Sequence, residues 1–63
     1  MTPQQEATLR RLCASYCVPF DPAHYRVYPA DSWMMPGWAE GWIGGPNWAR
    51  IYVGVSPTGE ANS

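Results

Sequence analysis

At 63 residues the chain has the length of one small domain, and chains of that size bury only about 60% of the surface they expose when unfolded, so little stability is held in reserve. Apolar residues make up 46% and charged residues 14%, against a usual charged fraction of about 25%, which excludes a disordered, highly solvated polymer. The net charge is −1, with four arginines and no lysine, and this argues against tight nucleic-acid binding, which needs several phosphate-neutralising cations.

No apolar run approaches the ~20 residues of a membrane span, and no charged-then-apolar leader opens the sequence. A cytoplasmic protein is expected.

The opening MTPQQ carries a helix start: Thr2 as cap, Pro3 at the first helical position, and Gln5 three residues after the cap. A helix over about 3–17 follows. Leu9, Leu12, Cys13 and Tyr16 fall at the spacing of one buried stripe with Cys17 at its edge, while Arg11 and Ser15 project away. Glu6 and Arg10 form a solvent-side pair. Cys13 and Cys17, four apart on a helix, have Cβ atoms ~5–6 Å apart, too far for a disulfide, so both are expected as free thiols unless Pro19 distorts the last turn.

Asp21-Pro22 repeats the cap-then-proline pattern and predicts a single helical turn to His24. From Tyr25 the period becomes that of a strand, over about 25–29, ending at Pro29. ADSWMMP (residues 30–36) reads as a loop, unusually apolar for a connection. A second strand over about 37–44 places Trp38, Glu40 and Trp42 on one side and Ala39, Gly41 and Ile43 on the other. Gly44-Gly45-Pro46-Asn47 supplies the turn to a third strand over about 49–55, with Ile51, Val53 and Val55 facing one way and Arg50, Tyr52 and Gly54 the other. After a turn at 56–59, residues 60–63 are either a short fourth strand or a tail. The pattern predicts a single α+β domain over 1–63: an N-terminal helix packed on an antiparallel sheet of three or four strands.

One helix covers only one face of such a sheet. The Ile43, Ile51, Val53, Val55 side suits the helix, because small Ala39 and Gly41 admit its approach. The Trp38, Trp42, Tyr52 side is then either covered by the 30–36 loop and the tail, completing a small aromatic core, or exposed as a contact surface. In the second case Trp38, Trp42 and Tyr52, with Trp33, Met34 and Met35 at the margin, are the binding residues, since such side chains concentrate at interface centres.

Catalytic and metal chemistry find little support. His24 is the one histidine, and neither Cys13 nor Cys17 stands at a helix N-terminus, where its thiolate would be stabilised. Cys13, Cys17 and His24 make an incomplete zinc set, since structural zinc takes four ligands. Gly44-Gly45 lacks the Lys-Ser/Thr of a phosphate loop. No catalytic residue, metal or cofactor is expected.

The segments MTPQQEATLRRLC, FDPAHYRVYP, GWAEGWIGG and YVGVSPTGE resemble small uncharacterised accessory proteins encoded by bacteriophages of actinobacteria. That resemblance implies action in the bacterial host cytoplasm and carries no activity with it. The expected function is non-enzymatic binding of a host or viral protein, or self-association, through the aromatic sheet face. The alternative is a small-ligand or single-stranded nucleic-acid module in which Trp38 and Trp42 stack on sugars or bases beside Arg26 and Arg50.

Overall fold

In the computed structural model of the chain, which describes residues 1–44 and 50–62, one N-terminal helix packs on a four-stranded antiparallel sheet. The helix α1 spans Pro3–Ser15, and the strands are β1 (Tyr25–Val27), β2 (Ala39–Ile43), β3 (Ile51–Val55) and β4 (Ala61–Asn62), each beside its neighbour in sequence. A turn of 3-10 helix at Pro22–His24, capped by the Asp21 carboxylate on the Ala23 N–H, leads into β1. The turn expected at 44–47 lies largely outside the described residues, as do Trp48 and Ala49.

Helix α1 starts as its sequence dictates. The Thr2 hydroxyl accepts from the Gln5 N–H at 3.1 Å while the Gln5 side chain accepts from the Thr2 N–H at 2.8 Å, a reciprocal capping box that satisfies two otherwise unpaired donors. Its end differs from expectation. The helix stops at Ser15, two residues short of Cys17, and Cys17 takes a left-handed conformation with φ 59°. The Cys17 N–H donates to the Ala14 carbonyl and the Val18 N–H to the Cys13 carbonyl, the paired bonds of a Schellman motif. Pro19 explains the stop, since it disfavours helical geometry at Val18, which turns back and packs on the core instead.

The buried stripe is therefore displaced toward the N-terminus. Gln5, Thr8, Leu9 and Cys13 are buried and Leu12 only partly so, whereas Tyr16, expected on the stripe, is the exposed C-cap. Leu9 and Cys13 meet Ala39, Ile43, Val53 and Val55, with Val18, Phe20 and Tyr25 closing the edge of this core.

Register follows from alternation. Tyr25, Gly41 and Val53 lie opposite one another, as do Arg26, Glu40 and Gly54, while Trp42 faces Tyr52 and Ile43 faces Ile51. Side chains alternate across a strand, so Ala39, Ile43, Val53 and Val55 take the helix side and Glu40, Trp42 and Tyr52 the other.

Polar bonds pin the N-terminal half of α1 to the opposite end of the sheet. The Gln5 Nε2 donates to the carbonyls of Gly37 at 2.7 Å and Val55 at 3.3 Å, and the Thr8 hydroxyl donates to the Gly59 carbonyl at 2.7 Å. Gly59 has φ +92°, and a side chain there would press on the Gln4 backbone, so glycine lets the β3–β4 turn reach the helix.

Candidate functional site

The sheet face turned away from α1 is organised around one carboxylate. Glu40, the second residue of β2, accepts from the Arg26 Nε at 2.5 Å, the Tyr28 hydroxyl at 2.9 Å and the Tyr52 hydroxyl at 3.0 Å. Arg26 also donates from Nη2 to the Tyr28 hydroxyl at 3.1 Å and lies over that ring. The pairing of β1 with β2 and of β2 with β3 brings these groups together from three strands or their extensions. Three of the carboxylate's roughly four lone-pair sites are thus filled.

The electrostatics follow from that geometry. Hydrogen bonding to Tyr28, joined by Arg26 and Tyr52, holds the Glu40 carboxyl below the ordinary carboxylate range despite an opposing desolvation. The Arg26 guanidinium is raised by Tyr28 and by Glu40. Desolvation first, and then the Glu40 carboxylate, raises the Tyr52 phenol.

Trp42 stands beside this cluster, 53% exposed, with its ring centroid 5.4 Å from that of Tyr52 in an edge-to-face arrangement. Such aromatic pairs are favoured because a positive ring edge meets a negative ring face. The Tyr52 ring is fixed through its hydroxyl, so the pair is a preformed platform. An open groove of about 480 Å³ runs along it, lined by His24, Tyr25, Arg26, Glu40, Trp42 and Tyr52 among others.

The remaining expected contact residues lie toward the other end of β2. Met35, with φ 54°, is half-buried, and its methyl group lies close to Gly54, beside Tyr52. Trp38 is half-buried, its carbonyl accepting from the Tyr28 N–H at 2.9 Å. Trp33 is 92% exposed and Met34 is exposed, on a loop folded back by the Ser32 hydroxyl, which accepts from the Met34 N–H and donates to the Met34 carbonyl. The structure thus joins Trp42 with Tyr52, lays Met35 over the neighbouring strand, and carries Trp33 and Met34 outward on the 30–36 loop.

Of the polar members of the face, Tyr52 and Arg26 were named from sequence, whereas Tyr28 and Glu40 were not singled out. Their signal was present: Arg26, Tyr28, Glu40 and Tyr52 all fall on the outward phase of their strands. A cross-strand partner for Glu40 becomes visible only once register is known.

The cysteines are free thiols, Cys13 buried and Cys17 exposed. The Cys13 sulfur is 3.2 Å from the Tyr25 hydroxyl, and burial together with that contact raises the Tyr25 phenol. His24 lies near Cys13 at a small pocket of about 70 Å³, but its Nε2 faces Asp21 at 3.7 Å. Among the described residues, no three His, Cys, Asp or Glu side chains are grouped to hold a metal ion, and no helix is long and apolar enough to cross a membrane. No protein-family model, curated protein or solved structure matches the chain.

Proposed function

We propose that the chain is a non-enzymatic accessory protein that binds another protein through the sheet face opposite α1, with Trp42 and Tyr52 as anchors. Its resemblance to phage-encoded accessory proteins suggests the bacterial cytoplasm as the place of action. One observation carries the reading: Trp42, a large apolar side chain in a chain with little core to spare, is half exposed and held edge-on to a tyrosine that Glu40 immobilises. Preorganised aromatic side chains lose little freedom on binding and dominate interface energetics. Arg26 lies against Glu40 and is not a free phosphate contact, which favours a protein over a nucleic acid.

The test pairs Trp42→Gln with Trp33→Ser in sedimentation and in capture from a bacterial lysate. Trp42→Gln is expected to keep the wild-type melt and lose association. Association unchanged in a folded Trp42→Gln protein would overturn the reading.

A further inference from the structure

We propose that the groove beside Trp42 binds an extended, proline-rich peptide segment in the polyproline II conformation. This rests on the reading that the aromatic face docks a protein, and it names the chemistry that the partner presents.

Size and shape come first. The groove, about 480 Å³, is within the ~300–1,000 Å³ range of ligand sites and is open along the sheet, which suits a chain segment passing through. Trp42 and Tyr52, inclined at 70°, form a corner of two aromatic surfaces against which a prolyl ring can pack.

Hydrogen-bonding capacity then selects the ligand. Donors are in surplus. The Trp42 indole N–H has no hydrogen-bond partner among the described residues, and Arg26 uses only its Nε and Nη2 of a five-donor guanidinium. The strongest acceptor is largely taken, because Glu40, the one carboxylate among the described lining residues, already accepts from Arg26, Tyr28 and Tyr52. The complementary ligand is apolar, rich in carbonyl acceptors and poor in donors. A polyproline segment meets all three conditions: each proline lacks an N–H, and the helix has no internal hydrogen bonds, so its carbonyls are available. It is also ordered before binding, which lowers the entropic cost for so small a site.

The competing ligands fit less well. A saccharide brings a donor with every hydroxyl, to a groove whose carboxylate is nearly saturated. A nucleic acid needs uncompensated cations, and here Arg26 is neutralised by Glu40 while His24 faces Asp21.

The experiment is a nuclear magnetic resonance titration of the whole chain with a blocked oligoproline peptide. A blocked Gly-Ser peptide of equal length, an oligothymidylate and a chitin oligosaccharide are run alongside. Oligoproline is expected to give saturable shifts at the Trp42 indole N–H, the Arg26 Nε–H and the Gly41 and Tyr52 amides, with none from the other probes. Trp42→Ala, checked by its amide spectrum, is expected to weaken binding about thirtyfold, as loss of an aromatic anchor does. Trp42→Phe, which keeps a ring but loses the donor, gives an intermediate loss and serves if the alanine variant unfolds.

No saturable shift with oligoproline, or equal shifts with any other probe, overturns the inference. If that happens while Trp42→Gln still abolishes protein association, only the proline specificity falls. If Trp42→Gln leaves association intact, the wider reading falls with it.

Discussion

Gln5 and Gly37 are joined by a 2.7 Å hydrogen bond from a fully buried side-chain amide to a backbone carbonyl, across 32 positions of sequence. The same side chain caps α1 and reaches Val55, so a residue that looks like part of a solvated helix start connects three segments of the fold. Gln5→Leu leaves the Thr2 N–H and two carbonyls without this partner, and is expected to cost about 3 kcal/mol at ~1–3 kcal/mol per buried group left unpaired. Against a total of ~5 kcal/mol at the low end for a domain, that leaves ~2 kcal/mol, so denaturant titration should show a protein still folded in buffer but with its midpoint lowered by more than half. Gln5→Glu keeps the capping oxygen but sets a carboxylate against the two carbonyls, so its deficit should shrink in acid.

Cys17 occupies a left-handed position that glycine adopts without strain and other residues at a cost of roughly 1–2 kcal/mol. Cys17→Gly is expected to raise stability by about 1 kcal/mol despite removing a side chain, and Cys17→Val to lower it. Thermal melts of the two variants decide the matter. In the native wild type, a thiol reagent should modify exposed Cys17 quickly and buried Cys13 only at the rate of opening.

Adjacent residues of β2 should respond in opposite ways to the same substitution. Ile43 is 2% exposed in the core, so Ile43→Gln, which removes apolar packing and buries an amide, is expected to cost about 3–5 kcal/mol. Trp42→Gln loses an edge-to-face contact on an open face and should cost about 1 kcal/mol or less. Equal destabilisation by the two variants would contradict the register of Trp42 opposite Tyr52.

Acid should weaken the outer face through Glu40. Its folded-state carboxyl titrates below the ordinary 4.5, with Tyr28 as the largest cause, so the folded state binds fewer protons than the unfolded chain as pH falls through this region. The contribution is fully present well above pH 4.5 and is lost as pH falls through the lower folded value. In melts between neutral pH and pH of about 3, Glu40→Gln should show a shallower acid decline than wild type, while remaining less stable at neutral pH. Parallel profiles would show that the carboxylate gains nothing from its partners.

Gly41 admits β1 to the sheet. A methyl group there would collide with the Tyr25 ring and stand 2.5 Å from the His24 carbonyl oxygen. Gly41→Ala is expected to cost about 1–3 kcal/mol by overpacking and to disturb the groove, visible as a lower melting temperature with altered Tyr25 and Trp42 resonances.

What the sequence determined by itself was local. The Thr2-Pro3-Gln5 start, the Asp21-Pro22 turn and the alternation that puts Ile43 inward and Trp42 outward each depend on neighbours within a few residues, where capping chemistry and strand period act directly. Tertiary structure decided the rest. Gln5 and Thr8 are buried because carbonyls from Gly37, Val55 and Gly59 meet them, and hydropathy contains no information about such partners. Cys17 takes a left-handed backbone because Val18 reaches the core beyond it. Met35 lies over Gly54 while Trp33 points outward, a choice set by the path of one loop. Glu40 becomes the centre of the outer face only when register sets Arg26 on one side and the third strand on the other, since a side chain's partners across a sheet are fixed by pairing and not by chain order.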